Sequence, residues 1–328
     1  MTRRCILASV ILAAMTLLAA CGTSATPTPA ATAGAPTDAL AATDAPLDTP
    51  FPQTLTDDLG RTIELAAPAE RVVSLAPNLT EMLFAVGAGD QVVGVTTFCN
   101  YPPEAATRTK IGGFTSDTIS IEQVVALDPD LVLSTGGYQS ETIDALEQAG
   151  ITVVALDPNT VAQVLEAIQT VGRLTGHANE AAALTAEMEQ RIEAVKAAVA
   201  GVPESQRRSV YWHIWNEPLM AAGPKSFPGQ LVELAGGTNI FADTTEFYPT
   251  VSGEEVVKRN PQVIMGSHSA ADQLNADALR KLPGWAAIDA VANGQIHMID
   301  DDLVSRAGPR LVDALDAIAH ALYPEQFK

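Results

Sequence analysis

Short β-branched runs alternate with helix-period segments from Arg71 to Leu322, and one long helical stretch divides them into two sets. That alternation, more than any motif, limits the folds open to the chain. In the first set, residues 71–75, 91–95, 131–134 and 152–155 are apolar runs of strand length, with helical patterns near 79–86, 121–127 and 141–149. Runs without polar alternation suit strands covered on both faces, so an α/β fold with a parallel sheet is expected. The second set has strands at 210–213, 263–266 and 295–299. Its helices fall near 229–235, 254–259, 277–282 and 309–322, the third stopped by Pro283. Between the sets, residues 178–200 contain neither proline nor glycine. There Leu184, Met188, Ile192, Val195 and Val199 recur three or four apart, with Gly201 just beyond. This spacing predicts one amphipathic helix about 34 Å long, joining two α/β halves rigidly.

A different kind of sequence precedes this body. Arg3 and Arg4 lead an apolar run over 5–18, and Leu18-Ala19-Ala20-Cys21 follows it. A positive start, an apolar stretch too short for a comfortable membrane span and small residues before a cysteine form the pattern of a lipoprotein signal peptide, with Cys21 lipidated. An ordinary secretory signal with an incidental Cys21 is the other reading, and both take the chain out of the cytoplasm. Residues 22–52 are mainly Ala, Thr, Pro, Ser, Gly and Asp, too poor in large apolar side chains to form a core. They make a tether reaching about 30 Å as a coil and about 90 Å fully extended. The expected organisation is signal 1–20, lipidated cysteine and tether 21–52, first lobe 53–176, connecting helix 177–201 and second lobe 202–328.

The 19 basic and 39 acidic residues give a formal charge of −20, and loss of Arg3 and Arg4 with the signal leaves the mature chain more acidic still. Nucleic acid is excluded as a natural partner on that balance. Of three cysteines only Cys99 lies in the body, so no intrachain disulfide is expected there and its expected role is packing.

Two segments repeat. Ser120-Ile-Glu122-Gln-Val-Val-Ala-Leu-Asp-Pro129 and Ser252-Gly-Glu254-Glu-Val-Val-Lys-Arg-Asn-Pro261 place Ser, Glu, Val-Val and Pro in one register. Each reads as a capping box opening a short helix that stops before proline and leads into a strand. Glu122 and Glu254 interact favourably with the helix dipole, by about 0.3 to 1 kcal/mol. As a matched pair, one per lobe, they also offer a partner two separated anchors for arginines.

Further motifs extend the pattern. Arg71-Val-Val-Ser-Leu-Ala-Pro-Asn-Leu-Thr-Glu81, Val93-Gly-Val95, Tyr101-Pro-Pro-Glu104, Leu127-Asp-Pro-Asp-Leu-Val132 and Ser305-Arg-Ala-Gly-Pro-Arg310 resemble the helical-backbone (class III) substrate-binding proteins of ABC importers. Within the iron-siderophore and cobalamin group, the cobalamin-binding proteins are most similar. The resemblance runs from about Leu55 to Tyr323. It implies two Rossmann-like lobes with central parallel sheets joined by one long α-helix, and a ligand held in the cleft between them. It implies that Glu122 and Glu254 meet arginines of the permease. Position by position, it implies pocket aromatics at Phe98 and Tyr248 and polar contacts to corrin side chains at Asp302 and Arg306. Other tryptophan positions of the family fall near Ser116 and Thr135, which are not aromatic. The implied protein is extracytoplasmic, monomeric and membrane-anchored through Cys21. It captures cobalamin or a related corrinoid as cargo, with no cofactor of its own, and hands it to the permease and ATPase subunits of an importer.

Side-chain chemistry bears on that expectation. A corrin is a broad, partly apolar disc edged with amides, so its binder needs flat aromatic contacts and amide-directed polar groups. Phe98 and Tyr101 flank a loop after one predicted strand and Trp215 follows another, where open α/β sheets place ligands. Phe98, Trp215 and Tyr248 also fit core positions, and Arg306 and Arg310 fit plain salt bridges. Trp285 is expected to pack a helix start. Asp300-Asp301-Asp302 is a poor cation site, because consecutive residues of an extended chain diverge. Gly87-Ala-Gly89 follows a helix and reads as its C-terminal cap. Neither His-Glu-x-x-His nor Gly-x-Ser-x-Gly occurs, and no enzyme is expected. His213 and His268 lie near strand ends, which keeps a haem or metal ligand open. A ferric siderophore or haem binder on the same scaffold is the nearest alternative, and a metal carrier or enzyme using Asp302 with histidines is a further one. An unbroken helix between lobes lacks loop hinges, so closure on ligand is expected to be small.

Overall fold

The computed structural model describes residues 50–327. The expected signal peptide, Cys21 and all but the last residues of the tether lie outside them. The described chain begins with an antiparallel hairpin of β1 (Gln53–Thr56) and β2 (Thr62–Leu65), half-exposed polar strands that no apolar run announces.

The first lobe is built on β3 (Val72–Ser74), β4 (Val92–Val95), β5 (Thr109–Lys110), β6 (Leu131–Ser134) and β7 (Val153–Ala155), all parallel in the order β5-β4-β3-β6-β7. Every residue of β3, β6 and β7 is buried, which is why those runs show no polar alternation. Helices α1 (Pro77–Ala85), α2 (Ile121–Ala126) and α3 (Ser140–Gln148) carry the crossovers. Gly87, at φ 88°, takes the left-handed conformation just past α1, as a capping glycine should.

Two helices connect the sheets. The second, α5 (Ala178–Val199), is the helix expected from its apolar spacing; α4 (Val161–Thr175), just before it, is an additional one. The signals for α4 are present: Thr160 accepts a hydrogen bond from the Gln163 amide at its start, and Gly176 is left-handed at its end. Met188, Ile192, Val195 and Val199 of α5 are buried as their spacing predicts, and Leu184 packs against them. One face of α5 meets α4, and it also contacts α6 (Phe227–Leu234) and α12 (Leu311–Leu322) of the second lobe. A single apolar core consequently runs from Val72 of the first sheet through α5 to Leu322.

In the second lobe β8 (Ser209–Asn216), β10 (Thr238–Asn239), β11 (Val263–Ser267) and β12 (Ile296–Ile299) are parallel in the order β10-β8-β11-β12, while β9 (Leu219–Ala221) pairs antiparallel with β8. Around this sheet lie α7 (Gly253–Arg259), the short helices α8 (Ala271–Leu274), α9 (Ala276–Leu279), α10 (Asp289–Ala292) and α11 (Asp301–Val304), and the two helices that touch α5. Trp285 is buried with its Nε1 against the start of α7, the packing role expected of it. In each sheet the chain reverses its winding beside the first strand, between β3 and β6 and between β8 and β11. Crevices at such reversals, beyond the carboxyl ends of the strands, are where open α/β sheets hold ligands.

Candidate functional site

A cavity of about 780 Å³ lies at those strand ends, lined from both lobes and within the usual size range of small-molecule sites. The first lobe contributes Asn78 after β3, Phe98 after β4, Phe114, Tyr138 after β6, and Asp157 after β7. The second contributes His213, Phe247, Tyr248, Ser269, Asp301, Asp302 and Arg306. Phe98, Tyr138, Phe247 and Tyr248 are 56%, 79%, 44% and 44% exposed. Four large aromatics left open around one cavity form a surface for a flat partner, not a core. Another hollow, of about 750 Å³, lies between α4, α5 and α6. It contains no aromatic side chain and is away from both reversal points.

The polar floor of the cleft is an ion network between lobes. Glu81, on α1, is buried and receives Arg310 as a fork, Nε donating to Oε2 at 2.8 Å and Nη2 to Oε1 at 2.6 Å. Arg306 Nη1 donates to the same Oε1 at 2.9 Å and to Asn100 Oδ1 at 2.8 Å, and its Nη2 lies 2.7 Å from Asp302 Oδ1. Hydrogen bonding to Glu81 pushes the Arg310 guanidinium pKa up. Glu81 ends the Arg71–Glu81 motif, which by itself assigns it no role. A glutamate four residues into a helix after an apolar strand carries no local sign of its partners some 225 residues on.

Gln139 plays a neutral counterpart in the first lobe. Fully buried, its amide donates to the carbonyls of Leu75 at 2.8 Å and Phe114 at 2.9 Å, and its Oε1 accepts from Ser134 Oγ at 2.7 Å and the Thr135 amide at 3.1 Å. The ends of β3 and β6 and the Phe114 loop are thereby tied together beneath the cavity.

The three aspartates separate. Asp300 caps α11, its carboxylate accepting from the Asp302 amide; Asp301 accepts from the Ser269 amide at 3.0 Å; Asp302 turns to Arg306. The expectation of an extended run is corrected here, since residues 301–304 are helical. Burial would raise the Asp301 pKa, but hydrogen bonds from Ser269 and Ser267 and the charge of His268 hold it below the usual range. His213 is buried; its Nδ1 lies 3.2 Å from the Tyr211 hydroxyl and its Nε2 makes no hydrogen bond of good geometry. Burial lowers its pKa, offset in part by Gln273. Cys99 is buried between Thr80 and Thr96.

Of the six residues expected to bind ligand, Phe98, Tyr248, Asp302 and Arg306 line the cavity, and Tyr101 and Trp215 do not. Tyr101 is covered on one face by Arg310, whose guanidinium carbon lies 4.1 Å from the ring centre. Trp215 does not follow a strand as expected. β8 runs on through Asn216 and turns at Glu217-Pro218 into β9, so Trp215 stands on a hairpin, its Nε1 donating to the Glu217 carbonyl. Tyr138 and Phe247 were missed. Ser116, one of the non-aromatic positions, bonds the Tyr138 carbonyl, and Thr135 lines the cavity three residues before Tyr138. The same rule that singled out Phe98, a position just past a parallel strand, would have found Tyr138.

Glu122 and Glu254 are exposed, each in the first turn of its helix, and neither enters an ion pair among the described residues. Ser120 and Ser252 cap those helices, accepting from the amides of Gln123 at 3.3 Å and Glu255 at 3.1 Å. The reciprocal half of the expected box is absent at Ser120, whose amide donates to Ile111 instead.

Two reversal-point crevices facing one cavity, in lobes sharing a long helix and a continuous core, define a bilobal solute-binding protein. Residues 72–303 match the periplasmic binding protein family, and the chain belongs to it. A cobalamin-binding protein of Halobacterium salinarum is 37% identical over 279 residues, covering 83% of this chain and 74% of that one. An uncharacterized ABC transporter substrate-binding lipoprotein of Bacillus subtilis is 31% identical over 283 residues, covering 85% and 88%. Among solved structures, a periplasmic heme-binding protein of Roseiflexus superposes with a TM-score of 0.69 at 27% identity, covering 79% of this chain and 99% of its own. The protein is a substrate-binding protein of the ABC-importer kind, on the scaffold that B12-, siderophore- and haem-binding proteins share, and not an enzyme. Among the described residues no helix is long and apolar enough to cross a membrane.

Proposed function

We propose that this protein captures cobalamin or a related corrinoid outside the cytoplasm and delivers it to the permease and ATPase subunits of an ABC importer, held to the membrane by a lipid on Cys21 and docking through Glu122 and Glu254. The observation that carries the ligand assignment is the composition of the cavity wall. Four exposed aromatics from both lobes suit the faces of a broad disc, and Arg306, the one lysine or arginine in the lining among the described residues, is already paired. A ligand edged with neutral amides fits such a wall, whereas carboxylates of haem or an anionic siderophore would face Asp157 and Asp301, which have no ion pair among the described residues. The cobalamin-binding relative supports the same reading. Haem is the second reading, favoured by the heme-binding structural relative and by His213, buried beside the cavity with no hydrogen bond of good geometry at Nε2.

Calorimetric titration of the mature chain in detergent with cyanocobalamin and then cobinamide tests the assignment. One-to-one binding of both is expected. Binding of haem alone would replace the corrinoid reading with the second one.

A further inference from the structure

Among the described residues the lining of the cleft contains a single arginine, and its charge is already paired. The Arg306 side chain is 12% exposed, with Nη1 committed to Glu81 and Asn100 and Nη2 to Asp302. Glu81 is the less accessible partner, its side chain 2% exposed, and Arg310 grips it from the other side as a fork. The four charges of Glu81, Asp302, Arg306 and Arg310 cancel, which leaves Asp157 and Asp301 as the unbalanced charges of the wall. A buried carboxylate is costly to maintain, and this one joins α1 of the first lobe to the segment between α11 and α12 in the second.

We propose that Glu81 is a positioning residue that sets the charge selectivity of the cleft: by pairing with Arg306 it leaves no unneutralised arginine or lysine, among the described residues of the lining, for a ligand carboxylate, and so excludes carboxylate-edged macrocycles and anionic chelates. This rests on the corrinoid reading and extends it from which ring is bound to which edge chemistry is admitted. Removing the Glu81 charge releases the Arg306 guanidinium toward the cavity, where a ligand carboxylate can pair with it as a fork.

The test uses two probes with the same ring: dicyanocobinamide, edged with amides, and cobyrinic acid, in which the edge amides are carboxylates. Titrations are run on the mature full chain in detergent. The wild type is expected to favour the amide-edged ring by at least a hundredfold. Glu81→Gln should narrow that ratio at least tenfold, chiefly through tighter binding of cobyrinic acid, and adding Arg306→Gln should restore it, because the arginine carries the gain. Asp302→Asn, at a half-exposed position that does not threaten folding, should shift the ratio the same way to a smaller degree, with steeper salt dependence for the acid probe. A parallel loss of both affinities in Glu81→Gln, or an unchanged ratio in both Glu81→Gln and Asp302→Asn, would overturn the proposal and leave the corrinoid reading standing. A wild type that binds neither ring would overturn both.

Discussion

The two lobes share a plan and differ in what holds their cleft walls together. Each winds a parallel sheet from a central first strand and opens its strand ends toward the cavity. The first wall is fixed by a neutral amide, Gln139, and shows the ligand Phe98, Phe114 and Tyr138. The second is fixed by charge: Asp300 capping α11, Asp301 on the Ser269 amide, and Arg306 between Asp302 and Glu81. Aromatic side chains thus face the cavity from both lobes, whereas the arginine in its described lining comes from the second.

Gln139→Leu is expected to break the first wall alone. It leaves the carbonyls of Leu75 and Phe114 and the Ser134 hydroxyl without their partner in a buried setting, at a cost of about 2 kcal/mol. Urea unfolding should show that loss, and hydrogen exchange should show it at the ends of β3 and β6. Equal loss of protection in β8 and β11 would mean that the lobes unfold as one unit, and the contrast between walls would have no energetic meaning.

The repeated helices give a finer comparison. Both have a serine cap, and both end in a left-handed polar residue before proline, Asp128 at φ 47° and Asn260 at φ 43°. They are tied differently: in α7, Arg259 pairs with Asp243 at 2.7 Å and Glu255 at 2.8 Å and stacks over Phe241, whereas α2 is tied at its C-terminal end, where Arg71 donates to the carbonyls of Leu127 and Asp128. Ser120→Ala and Ser252→Ala should each cost about 1 kcal/mol. The docking role proposed for Glu122 and Glu254 adds a difference in function. Ser120→Ala, acting on the helix that has no ion pair among the described residues, should reduce transporter stimulation in proteoliposomes more than Ser252→Ala does, with ligand affinity unchanged in both. The reverse order would show that Arg259 does not hold Glu254 in place.

Much of this was legible in the sequence, for a physical reason. The buried strands and the α5 stripe are periodic, and periodicity is local, so seven of the parallel strands and the long helix could be placed from their residues. The elements that were missed are of two kinds. β1, β2, β5, β9 and β10 are short, polar or half-exposed, and are held by pairing that no local pattern reports. Glu81 acts through partners distant in the chain, and Gln139 ties its neighbours Ser134 and Thr135 to the distant carbonyls of Leu75 and Phe114, so nothing beside either in sequence distinguishes it from a helix-surface residue. Tyr138 and α4 differ from these, since their signals were local and were passed over.

The smallest expected effect concerns acid. His213 and His297, both in the second lobe, have pKa values lowered by burial, the latter also by the charge of Arg208. In the unfolded chain each takes a proton near pH 6.5, while in the folded chain it does so only at lower pH. The unfolded state therefore binds more protons in that interval, so their contribution to stability is complete above about pH 6.5 and falls as the pH drops toward the folded values. In the first lobe Asp57 works lower on the scale. Burial would raise its pKa, but hydrogen bonds from Arg61 and the Ala155 amide bring it below the ordinary value. Its contribution is present above about pH 4 and is lost only as the pH falls through the folded value. Hydrogen exchange at pH 7.5 and 5.5 should accordingly show β8, β11 and β12 losing protection before β3, β6 and β7, and His213→Gln should reduce that loss. If the first sheet weakened first, or if His213→Gln left the profile unchanged, the acid response would have to come from the carboxylates around the cleft.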